Sequence, residues 1–129
     1  MADDMPAFDE ISAARKRTDF AEDRTVLANE RTFGSWMRTG FGAIGIGLGF
    51  HALFGRIHPL WLPRAIATAF LVIALIIFVA AERRACMVIR RLHTHQIETV
   101  KIAIIRLITI VTVAATLALI AALWFLQMR

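Results

Sequence analysis

The sequence predicts an all-α membrane protein built on three spanning helices. Two observations carry that prediction. Hydrophobic residues make up 58% of the 129 residues, and they are gathered into long blocks instead of being mixed with polar residues as in a water-soluble domain. The basic residues cluster at the ends of those blocks, as they do where a chain crosses a bilayer. The mean hydropathy of +0.64 therefore belongs to spans and not to a soluble core.

The spans are placed at roughly 33–54, 60–81 and 102–126. Each offers about 20 residues or more, enough at 1.5 Å per residue for a ~30 Å hydrocarbon slab. In lipid such a segment is helical, because a helix satisfies its own backbone groups. Runs such as Ile102-Ala-Ile-Ile and Ile110-Val-Thr-Val favour strand in water, but the length of their block decides for helix. Before the first span, Asp19-Phe-Ala-Glu22 has the form of a capping box. It sets a helix start at Asp19 and leaves residues 1–18 as a mobile tail ahead of a membrane domain over 19–129. Pro63 falls in the first turn of the second span, where its missing N–H costs nothing. Glu82 to Lys101 holds neither glycine nor proline, so spans two and three are expected to continue as helices past the bilayer. Trp36, Trp61 and Trp124 lie near span ends, where indole prefers the interface.

Charge sets the orientation. Arg15, Lys16, Arg17, Arg24 and Arg31 precede the first span, and Arg83, Arg84, Arg90, Arg91 and Lys101 lie between the second and third. The other connection has Arg56 and Arg64, and the C-terminus Arg129. The N-terminus is therefore expected in the cytoplasm and the C-terminus outside. The opening Met-Ala-Asp-Asp lacks the basic region of a cleaved signal peptide, so the first span is expected to direct insertion itself. One cysteine, Cys86, excludes an internal disulfide and fits a reducing compartment. The net charge of +5 suits anionic lipid or an anionic ligand. Nucleic acid is not expected as a partner, because the basic residues are tied to span ends.

Counting in sevens, Arg17, Arg24, Arg31, Arg38, Gly45 and Ala52 fall on one helical face, drifting ~20° per step. Gly42 and Gly49 flank the same stripe, and all seven glycines lie between Gly34 and Gly55. With a helix start at Asp19 the column begins at Arg24. Thr39 to Phe54 is only about 16 residues, or ~24 Å, so Arg38 falls within a turn or two of the interface. Arginine at a span centre costs ~2.5–3.5 kcal/mol, less near its edge. One reading is that Arg38 simply snorkels back toward the cytoplasm. That leaves unexplained why Arg24 and Arg31 share its face and why the face continues as glycine. The other reading is a basic vestibule leading to a small-residue face. Gly42, Gly45 and Gly49 then serve close helix packing, as in small-xxx-small contacts, or leave a lumen open. Both need a partner helix, so a homo-oligomer is expected.

Glu30 lies ~100° around the helix from Arg31 and has no basic residue at i±3 or i±4. It is either a solvated interfacial carboxylate or the partner of a cation elsewhere, with Arg83, Arg84 or a neighbouring subunit's Arg31 as candidates. Arg83, Arg84, Arg90 and Arg91 repeat at seven and form a second basic stripe, suited to anionic headgroups or to a second ring at a pore mouth. His93 and His95 are two apart, which does not match the i, i+4 pair of a helical metal site. No metal or cofactor is expected. His51 and His58 are placed at the outer interface. No nucleophile, base and orienting group come together, and enzyme activity is not expected.

Leu27-Ala-Asn-Glu-Arg-Thr-Phe33, followed by Trp36 and Arg38-Thr39, resembles the signature of the YidH family (domain of unknown function 202), small three-span proteins of the bacterial inner membrane. That domain is similar to the membrane part of the eukaryotic vacuolar transporter chaperone, a polyphosphate polymerase, in which five such units surround a polyphosphate-conducting channel lined by basic residues of the first span. Gly34 and Ser35 stand where the family usually carries larger apolar residues. The resemblance implies that Arg31 faces phosphate with Glu30 orienting it, that Arg24 matches an upstream basic position, and that Arg83 and Arg84 match basic residues at the inner end of span two. The polymerase activity of that relative sits in a separate soluble domain. The expected function is thus an oligomeric, pentamer-like conduit or binding vestibule for anions such as phosphate or polyphosphate. The alternative is a non-conducting scaffold that binds anionic lipid or a partner protein.

Overall fold

The computed structural model describes residues 5–91, 97–126 and 128. They form three helices, α1 (Met5–Phe54), α2 (Trp61–Arg91) and α3 (Ile97–Phe125), with no strand among the described residues.

α1 corrects the predicted helix start. It begins at Met5 and passes through Asp19 without a break, so the capping-box pattern is a helical surface rather than a start. Between Ala7 and Asp19 there is no glycine or proline, and alanine, arginine and lysine are good helix formers. The Ser12 hydroxyl donates to the Asp9 carbonyl, Thr18 to Ala14 and Thr25 to Ala21, so these residues satisfy themselves within the helix. Every residue from Ala7 to Ala21 is exposed. This stretch is held by local propensity alone, and Arg17 joins the arginine column.

α2 is the central element. Pro63, Ala67, Leu71, Ala74, Phe78, Ala81, Ala85 and Ile89 are buried along it, a three-and-four spacing that draws one continuous stripe. Met37, Ala43, Ala74 and Phe78 form one cluster, with Phe33, Ile44 and Val113 packed against it. Ala85, Cys86, Ile89 and Ile105 form a second, again touching Phe33 and also Ile102. Phe33 thus joins the two. On α3, Thr109, Thr112 and Thr116 are buried, and each hydroxyl donates to the carbonyl four residues back. At the far end of the bundle Trp124 Nε1 donates to Thr68 Oγ1 at 3.2 Å.

α2 and α3 are both long and apolar enough to cross a membrane. Exposed Ile73, Ile76, Leu107, Ile110 and Val111 give them the apolar exterior that lipid would cover. α1 falls short of the same measure because its apolar half carries Arg38 and a series of glycines, which add length without apolar side chains.

Candidate functional site

The site is built on α1, which has two dissimilar faces. One packs on α2. Asn29 is buried there and its Nδ2 donates to the Ala85 carbonyl at 3.2 Å. Trp36 lies beneath the Arg84 guanidinium, 5.8 Å from ring centroid to Cζ, a cation–π contact. A Cβ at Gly40 would strike the ring of fully buried Phe78, and one at Gly47 would stand 2.9 Å from Phe70 Cβ and 3.1 Å from the Ala67 carbonyl oxygen. These two glycines let the helices close.

The opposite face carries the column. Arg24, Arg31 and Arg38 are exposed. Gly42, Gly45 and Gly49 continue the face, and a Cβ at any of them would meet nothing within 4 Å. The glycines singled out from the sequence are therefore not the ones that pack α1 on α2. No ion pair to Arg24, Arg31 or Arg38 occurs among the described residues.

The carboxylates are held elsewhere. Glu30 pairs with Lys101 of α3, with Nζ 3.2 Å from Oε1. Glu30 is exposed, and its partner within the chain is on another helix but is neither Arg83 nor Arg84. Glu82 accepts from Arg106 Nε at 3.5 Å, and the Cys86 thiol donates to the same Oε1 at 3.5 Å. Arg84 is brought to the α1–α2 seam. Arg83 instead ends a shallow groove of about 400 Å3 along Leu75, Ile76, Val79 and Ala80. The structure does not bring Arg83 to the column. A second groove, about 490 Å3, runs between α2 and α3 past Val79, Ile110, Val113 and Leu117 and is closed at its charged end by Glu82 and Arg106.

Several of these residues escaped the sequence reading. Arg106 sits in an apolar block, where a lone charge is itself a signal. Gly40 and Gly47 are seven apart on the face opposite the arginines, a spacing that marks a packing seam. His93 and His95 lie outside the described residues. Among the described residues, no group of three or more histidine, cysteine or acidic side chains is placed to hold a metal.

A helical bundle with two membrane-type helices and an arginine-studded third defines the class as a small membrane-type helical protein. Comparison with known families matches residues 24–91 to DUF202, a domain of unknown function. That stretch is more than half of the chain, and the protein belongs to this family. It takes in Arg24, Arg31, Arg38 and all of α2. No curated protein and no solved structure matches the chain.

Proposed function

We propose that the protein is an oligomeric, channel-like conduit or binding vestibule for anions, with the open face of α1 turned toward a shared axis. One observation carries the reading. The face of α1 that is free of intrachain packing is the one bearing Arg24, Arg31 and Arg38, continuing into Gly42, Gly45 and Gly49. Arginine suits a phosphate-like ligand because its planar fork pairs phosphate oxygens and stays charged. Rings of moderate affinity guide a polyanion without trapping it. In this reading α1 supplies the third membrane crossing from residue 33 onward. The N-terminus lies in the cytoplasm and the C-terminus outside a bacterial inner membrane. Inorganic phosphate or polyphosphate is the permeant anion. Five subunits is the figure that the sequence resemblance to the membrane part of the vacuolar transporter chaperone would imply, and no enzymatic step is assigned.

A second reading has its own observation. Arg83 closes the end of an apolar groove, an arrangement that fits an anionic lipid headgroup with its chain along α2. The protein would then be a non-conducting scaffold or accessory subunit.

Flux into liposomes separates the two. Wild-type protein is expected to pass inorganic phosphate or short polyphosphate. Arg31→Ala is expected to reduce that flux at least tenfold, the scale of removing one charge-assisted contact worth about 1.5–3 kcal/mol, with the oligomer still assembled. Absence of flux in the wild type, or an Arg31→Ala effect confined to assembly, favours the scaffold.

A further inference from the structure

Beyond Asp23 the sequence holds three acidic residues, Glu30, Glu82 and Glu98, against twelve basic ones. One of the three lies beside the arginine face, and a second beside Arg83, outside that face. Glu30 is next to Arg31 on α1, and Glu82 is next to Arg83 on α2. Each is met by a cation from the same helix, Lys101 at 3.2 Å and Arg106 at 3.5 Å, both from α3. α3 thus supplies the cation that meets one carboxylate on each of the other helices.

Stability does not account for the Glu30 pair. Its side chains are 36% and 49% exposed, and pairs this open contribute little to folding. Its electrostatic effect is another matter. Consecutive Cα atoms are ~3.8 Å apart, and the screening length at physiological ionic strength is ~8 Å. An uncancelled Glu30 would therefore weaken the field of Arg31, although the two cannot pair on one helix.

We infer that Lys101, and with it Arg106, tunes charge selectivity by masking these two carboxylates, so that Glu30 and Glu82 do not offset the arginines next to them. The role rests on the conduit reading above and assigns α3, which contributes nothing to the arginine face itself, a specificity function. Lys101 acts through Glu30 and is not a ligand-binding residue.

The test uses full-length protein in planar bilayers or liposomes, with chloride and inorganic phosphate as probes and the anion-to-cation permeability ratio read from the reversal potential. Lys101→Gln is expected to lower that ratio about threefold, the effect of one nearby charge in a partly aqueous setting. Glu30→Gln alone is expected to leave the ratio unchanged or raised. The double variant Lys101→Gln/Glu30→Gln is expected to return it to the wild-type value. A ratio unmoved by Lys101→Gln while Arg31→Ala abolishes flux overturns the masking role and leaves the conduit intact. A loss in Lys101→Gln that the double variant does not restore also overturns it. A wild type that passes no anion removes the conduit and the masking role together. For Arg106 the charge-neutral pair Glu82→Gln/Arg106→Gln avoids leaving a half-buried carboxylate unpaired. It is expected to keep the wild-type ratio, whereas Arg106→Gln alone lowers it.

Discussion

Gly40 and Gly45 are chemically identical and lie just over one helical turn apart, yet a methyl group on each meets different surroundings. At Gly40 it meets the ring of a buried phenylalanine, and at Gly45 it meets open space. Gly40→Ala is expected to destabilise the bundle by about 1–3 kcal/mol, the cost of overpacking a filled seam. Gly45→Ala is expected to leave the stability of the single chain unchanged. Thermal unfolding in detergent reads both. Asn29 offers a second test at this scale. Its side chain is buried and donates to a carbonyl of α2, so Asn29→Ala is expected to cost about 1 kcal/mol. The arginine column was readable because seven-residue spacing fixes a face whatever the helix packs against. The Lys101 partner of Glu30 was not, because it joins residues far apart in sequence, and only the fold decides which cation arrives.

Among the helices, α2 and α3 follow from composition, since a long apolar block admits no other secondary structure in lipid. α1 does not follow so simply. The pattern Asp19-Phe-Ala-Glu22 has the residues of a helix start, but a capping box is a boundary only when the chain before it cannot be helical. Here residues 7–18 are free of glycine and proline and carry strong helix formers. This exposed segment is expected to be the least protected part of the molecule. Its backbone amides should exchange with solvent orders of magnitude faster than those around Leu71 to Phe78, because local opening there breaks no packing. Ala14→Gly is expected to lower helix content by circular dichroism without shifting the unfolding of the bundle, because the ~1 kcal/mol propensity cost falls on a segment with no tertiary contacts.

At the scale of the whole molecule, the three helices bury a narrow stripe along α2 and leave most large apolar side chains of α2 and α3 exposed. Lipid or a second copy must cover that surface. If copies meet around the open face of α1, positions on that face approach their own equivalents. A Gly45→Cys variant in a Cys86→Ala background is expected to form disulfide-linked or bismaleimide-linked dimers in membranes. A cysteine at Ile73, an exposed residue of α2, is expected to crosslink far less. Equal crosslinking at both positions would place the subunit contact elsewhere. The open face was legible before the fold as a heptad of arginine and glycine. What was not legible is that the same helix uses a second set of glycines for a different purpose.

The close approach of the Gly40 backbone to the Phe78 ring also sets the rotational phase of α1. A helix seated through a glycine against a buried aromatic ring cannot spin about its own axis without driving a bulkier neighbour into that ring. The bearing of the guanidinium groups is therefore geared to the α1–α2 seam. Any gating that turns them must carry both helices as one body, so a probe on α2 should report the motion of α1.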